Sequence, residues 1–185
     1  LTVPMCRFIA MNPTLKMPFK RYQVAPVFRD GPIKLGRYRQ FTQCDVDVVG
    51  TSNMAADAEI VQMTLAAFDQ LGLDVVIKIN NRKILDAIME DADIPPAKRE
   101  AAILSIDKFE KIGKDNVKKE LKEKDINPAV VDKLFSERNK ELKNLQKSLT
   151  NPEGAKELQD VLSIVKSKRV IFTSSLARGL AYYTG

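Results

Sequence analysis

The sequence predicts an α+β fold, and three observations carry that prediction. Two strand-like segments, 20–29 and 38–49, flank a short turn-rich loop, which implies an antiparallel hairpin. Between residues 54 and about 90, amphipathic helical patterns alternate with one short apolar strand. From Pro95-Pro96 the chain becomes rich in lysine and glutamate and helical in pattern, until Arg169-Val-Ile-Phe-Thr173 restores a strand.

Taken in order, Pro4 suits the first turn of a short helix, and Asn12-Pro13 breaks it. Residues 20–29 read as a strand in which Pro26, lacking an N–H, requires an edge or a bulge. Asp30 to Gly36 is loop. On the second strand, Arg39, Phe41, Gln43, Asp45 and Asp47 alternate to one face, and Gln40, Thr42, Cys44, Val46 and Val48 to the other. The second set turns apolar toward its end and is expected to pack on a core; the polar set faces either water or a pocket.

Gly50-Thr-Ser-Asn53 offers a helix cap, and residues 54–71 place Ile60, Val61, Leu65, Phe68 and Leu71 near one helical face, closed by Gly72. Val75–Ile79 reads as a short, mostly buried strand, and the following helix turns Ile84, Leu85, Ile88 and Met89 inward. Within 95–168, apolar positions recur at Ile106, Phe109 and Ile112, at Val117 and Leu121, at Val130, Val131, Leu134 and Phe135, and at Leu142, Leu145 and Leu149. Asn127-Pro128 and Asn151-Pro-Glu-Gly154 punctuate the helices. The expected organisation is a core at 1–94, an all-helical insertion at 95–168, and a return strand at 169–185 that delivers the terminal motif.

Composition narrows the chemistry. At 185 residues the chain can bury a substantial core, and no run approaches the roughly 20 apolar residues a membrane span requires. The net charge of +6 gives a mild preference for polyanions, but composition alone favours the plainer reading of a solvated lysine surface, and the charge run Lys114–Asp125 reads as a solvated helix face with nucleic-acid contact the minority alternative. Two cysteines, Cys6 and Cys44, are too few for a disulfide framework or a zinc site and suit a reducing, cytoplasmic setting. Histidine is absent, which excludes a Ser-His-Asp or Cys-His nucleophile and any histidine-ligated metal within these residues. No charged-then-apolar leader is present, and a start at Leu1 with an end at Gly185 reads as part of a longer protein.

Two stretches concentrate reactive side chains. Phe28 to Asp47 carries Arg29, Arg37, Arg39, Gln43 and Asp47; Leu176-Ala-Arg-Gly-Leu-Ala-Tyr-Tyr-Thr-Gly185 carries Arg178, Tyr182 and Tyr183. Each has a plainer reading: arginines as surface or ion-paired residues, the tyrosine pair as packing. Taken together, Arg21-Tyr-Gln-Val-Ala-Pro-Val-Phe-Arg29, Gly36-Arg-Tyr-Arg-Gln-Phe-Thr-Gln-Cys-Asp-Val-Asp47 and the terminal motif resemble the catalytic core of the histidyl-tRNA synthetases, a class II aminoacyl-tRNA synthetase family. The Gln-Cys-Asp-Val-Asp form is similar to the archaeal and eukaryotic branch.

The resemblance implies an antiparallel class II sheet flanked by helices, with ATP and amino acid on one sheet face. It implies that Arg29, at the end of the first strand of motif 2, clamps the α-phosphate, and that Arg178 is a second catalytic arginine. Gln43 and Asp47 match the glutamine and acidic residue that bind histidine, and strand spacing sets them about 13–14 Å apart. Thr2 matches the threonine of the amino-acid-binding segment, Tyr182 and Tyr183 the tyrosines near the imidazole, and Arg37 and Arg39 the loop contacting ATP and the tRNA acceptor end. Ala181 stands where the family usually carries an acidic or small residue.

The implied activity is ATP-dependent activation of L-histidine and its transfer to tRNA(His). Mg2+ accompanies the nucleotide without a protein metal site. A homodimer is expected for the full-length protein, and the helical insertion is expected to cover the acceptor stem. The first and third motifs and the anticodon-binding domain lie outside these residues, so the isolated chain is expected to have weak or no activity. Two rivals stand beside this reading: a non-catalytic paralogue that keeps a histidine pocket as a regulatory subunit, and an interaction module without a ligand.

Overall fold

The structure, a computed structural model, describes residues 1–136 and 141–178. Contacts divide the chain into two units, Leu1–Ala56 and Asp57–Gly185. In the first unit, helix α1 (Thr2–Met11) ends at Asn12, whose backbone N–H bonds Ile9 O, and Pro13 follows. Strands β1 (Phe19–Phe28) and β2 (Gln40–Val49) pair antiparallel in an unbroken register from Phe19 opposite Val49 to Phe28 opposite Gln40. Pro26 sits within that ladder opposite Thr42 with no bulge, because among the described residues the hairpin has only two strands and both are edges.

The two faces of the hairpin differ from expectation. Phe19, Arg21, Gln23, Ala25 and Val27 of β1, with Phe41, Asp45 and Asp47 of β2, are half-buried. On the opposite face Tyr22, Val24 and Phe28 are 81%, 61% and 73% exposed, and Cys44 is exposed too. The face expected to pack on a core is thus the open one, with only Val46 and Val48 partly covered. The reason is α1, which lies against the polar face: Met5 Sδ is 3.1 Å from Arg21 Nε, and the rings of Phe8 and Phe19 are 6.1 Å apart.

The second unit opens with α2 (Ala55–Gln70), where Asn53 Oδ1 accepts from Ala55 N, and closes at Gly72, whose φ of +68° lets Leu73 N–H return to Phe68 O. Strand β3 (Ile77–Ile79) is shorter and less buried than expected. It pairs parallel with β4 (Val170–Phe172), Ile77 opposite Val170, so the second sheet is parallel where the hairpin is antiparallel. Arg169, just before β4, grips Asp69 at the end of α2 with two bonds of 2.6 and 2.8 Å.

Between these strands run α3 (Arg82–Glu90), α4 (Pro96–Ile106), α5 (Phe109–Glu123), α6 (Ala129–Leu134), α7 (Leu142–Ser148) and α8 (Glu153–Val165). Ile84, Leu85, Ile88 and Met89 of α3 are buried, as the periodicity requires, and they share one core with Ile103, Ile106, Val117, Leu121, Val130, Val131, Leu134, Leu142 and Leu145. Phe109 and Phe135 stack at 3.9 Å on its margin. Two lysines of α5 are ion-paired: Lys114 and Lys118 reach Asp132 at 2.9 and 2.7 Å.

Glu120 is the hub of α5. One carboxylate oxygen accepts from Lys108 at 2.7 Å, Lys124 at 2.6 Å and the buried Ser105 hydroxyl at 3.0 Å. The Lys108 bond, followed by that of Lys124, outweighs partial burial and holds the carboxyl at about 2 against an ordinary 4.5. A depressed acid contributes stability in full above pH 4.5, and loses it as pH falls toward 2. Glu120→Gln is therefore expected to cost about 1 kcal/mol at pH 7, solvent screening limiting the effect. Urea titrations of both proteins from pH 7 to pH 2 should show the difference shrinking to nothing at the acid end.

Candidate functional site

In the first unit the expected residues fall into two groups. The first is the loop between β1 and β2. Arg29 stands at the end of β1, its backbone N–H bonding Arg39 O at 2.9 Å. Its Nε donates to Tyr38 O at 3.0 Å, and its Cζ lies 4.4 Å from the centroid of the Phe41 ring. The guanidinium is braced on one edge and one face, and no carboxylate among the described residues pairs with it. A tight turn between Lys34 and Arg37, with Gly36 at φ +72°, and an Arg39 Nε bond to Gly31 O at 3.5 Å shape the rest of the loop. Arg29, Arg37 and Arg39 are all exposed there.

The second group is the polar face of the hairpin. Gln43 is opposite Ala25 and Asp47 opposite Arg21, so both point to the α1 side. Gln43 donates to Asp45. Arg21 Nε donates to Asp47 Oδ2 at 2.9 Å while Nη1 donates to Gln23 Oε1. The remaining Arg21 Nη2 is buried without an acceptor among the described residues. Thr2 is exposed at the start of α1. Sequence reasoning passed over Arg21; its signal was its place in alternation with Gln23 on the strand that pairs with Asp47.

Arg178 belongs to the second unit. It is exposed, and it lines a cleft of about 240 Å3 with Lys78, Asn80, Asn81 and Arg82. Ala177 beside it is buried. The backbone leading to Arg178 is tied down from several sides. Thr173 N–H bonds Ile79 O at 3.0 Å, the buried Ser174 hydroxyl donates to Leu134 O at 2.7 Å, and Asn80 Nδ2 donates to Ser174 O at 3.1 Å and Leu176 O at 2.9 Å. Asn80 too was passed over, because its partners lie more than 90 residues away. Tyr182, Tyr183 and Ala181 lie outside the described residues.

The arrangement can bind an anion at the Arg29 loop and a cationic or amide-bearing group along the Gln43–Asp47 strip. Among the described residues no group of three acidic, cysteine or histidine side chains could hold a metal ion, and no helix is long and apolar enough to cross a membrane.

A family model described as histidyl-tRNA synthetase matches residues 1–185. Histidine–tRNA ligase 1 of Bacillus cereus is 42% identical over 196 residues, an alignment covering all of this chain and 45% of that protein. The crystal structure of histidyl-tRNA synthetase from Nostoc sp. PCC 7120 is 34% identical and superposes with a TM-score of 0.85, covering all of this chain and 46% of the other. A Bacillus halodurans structure titled ATP phosphoribosyltransferase regulatory subunit/histidyl-tRNA synthetase shares the fold at a TM-score of 0.80 with 17% identity. The chain thus spans about half the length of the relatives it matches.

Proposed function

Because the chain belongs to the histidyl-tRNA synthetase family, we propose that it forms part of the catalytic core of a histidine–tRNA ligase. The reaction joins the carboxylate of L-histidine to the α-phosphorus of ATP, releasing pyrophosphate, and then passes the histidyl group to a hydroxyl of the terminal ribose of tRNA(His), releasing AMP. The observation that carries this reading is the Arg29 guanidinium, braced by Tyr38 O and Phe41 and free of any carboxylate partner among the described residues. Such a group stabilises charge developing on phosphate oxygens without reorganising at the moment of reaction.

In this reading Arg178 is a further phosphate-binding arginine, and Arg37 and Arg39 contact ATP and the acceptor end. Gln43, Asp47 and Thr2 hold histidine, and the Arg21 ion pair fixes the Asp47 carboxylate toward the amino group. Tyr182 and Tyr183 are proposed for the imidazole. The donor set is rich in guanidinium and fits ATP; Mg2+ enters on the nucleotide and supplies further neutralisation of its phosphates. The helices of 95–168 form an inserted module over the acceptor stem, where the exposed Lys119 and Lys122 are better placed than Lys118, whose charge Asp132 offsets. The full-length protein is a homodimer, and the free thiols of Cys6 and Cys44 suit the cytoplasm.

Calorimetry on the natural protein that carries this chain separates the readings. A ligase core binds both histidine and ATP and catalyses histidine-dependent pyrophosphate exchange. Histidine binding without ATP binding identifies a regulatory paralogue, and binding of neither identifies an interaction module.

A further inference from the structure

We propose that Asn80 is a positioning residue for Arg178, and that its side-chain amide sets where that guanidinium stands. The proposal rests on the reading of Arg178 as a phosphate-binding residue and adds the device that holds it. Asn80 follows β3 directly and is half-buried. Both of its N–H donors and its carbonyl oxygen are engaged. Nδ2 donates to Ser174 O at 3.1 Å and Leu176 O at 2.9 Å, and Oδ1 accepts from Asn81 N at 2.9 Å.

The two carbonyls belong to a turn, closed by Leu176 N–H to Thr173 O at 3.0 Å, that begins where β4 ends. Two residues beyond its second carbonyl comes Arg178. A single planar amide thus spans the turn, and it can do so only in one orientation, with both N–H groups toward the turn and the oxygen toward Asn81.

The contacts on either side divide the labour. The parallel pairing of β3 with β4 and the Ser174 bond to Leu134 O fix the start of the segment. Buried Ala177 anchors its side chain in the core. The carbonyl of Leu176 is reached by Asn80. Arg178 and Asn80 line the same cleft, so the clamp and the group it steers are neighbours. Loss of the amide donors leaves two partly buried carbonyls seeking water and lets the turn relax, and a displacement of about 1 Å at a reacting group can cost up to about a hundredfold in rate.

The test is a double-mutant cycle in the natural protein that carries this chain, read by histidine-dependent pyrophosphate exchange. Asn80→Asp keeps the shape and the acceptor for Asn81 but removes both donors; Asn80→Ala removes them without adding charge. Both are expected to lower kcat about ten- to a hundredfold with the KM for histidine and ATP little changed. Neither should lower the rate further once Arg178 is alanine, because residues acting as a unit are non-additive. Wild-type kcat in both Asn80 variants, or an equal loss in the presence and absence of Arg178, overturns the clamp while leaving the reading of Arg178 intact. An Arg178→Ala protein with undiminished kcat instead overturns that reading and the clamp with it.

Discussion

Alanine at Arg29 is expected to slow histidyl-adenylate formation by about two to three orders of magnitude, the usual consequence of removing one preorganised charge-stabilising donor. Carboxylate attack on the α-phosphorus raises the charge on the phosphate oxygens, and a guanidinium already held in place meets it at no reorganisation cost. Arg29 is held by Tyr38 O at 3.0 Å and by the Phe41 ring at 4.4 Å. Because its side chain is exposed, truncation should change stability by no more than about 0.5 kcal/mol, so the loss will not trace to unfolding. Arg29→Lys keeps the charge but not the planar fork or the Nε bond, and should recover only part of the rate. Pyrophosphate exchange and a thermal melt on the same samples decide the matter: an alanine variant within threefold of wild type removes Arg29 from the chemistry.

How far this site was legible follows the reach of each interaction. The hairpin could be read because Asp30 to Gly36 is dense in turn residues and the alternation of Gln43, Asp45 and Asp47 is local. The α3 core face could be read because Ile84, Leu85, Ile88 and Met89 repeat at helical spacing, and all four are buried. The covering of the polar hairpin face could not. It depends on α1 folding back so that Met5 meets Arg21, a contact that leaves no periodic trace. The same limit hid the parallel pairing of two three-residue strands and the Asn80 bonds to Ser174 and Leu176. The motifs of the site announce themselves by spacing, whereas the residues that aim them act across the fold.

Valine at Gly154 is expected to destabilise the second unit by about 3 kcal/mol, the upper part of the range for overpacking a tight contact. Gly154 lies in the first turn of α8 and is buried against the start of α3. A Cβ there would stand 2.7 Å from Lys83 Cβ and 2.9 Å from both Asn81 Oδ1 and Ile84 N. None of these can swing aside. One is main chain, one is the root of a side chain, and Asn81 Oδ1 is the N-cap acceptor for Lys83 N at 2.8 Å. Moving α8 outward instead would strain Asn81 Nδ2 to Glu157 at 2.8 Å and Lys83 to Glu153 at 2.7 Å. Helix propensity argues the other way, since replacing a helical glycine by alanine ordinarily gains about 1 kcal/mol. Gly154→Ala should therefore fall between wild type and valine, and valine should lower the melting midpoint by about 6–12 °C for a chain of this size. If both variants melt at or above wild type, α3 and α8 do not approach as closely as the glycine implies, and the route by which α8 delivers β4 and the segment before Arg178 would have to be drawn again.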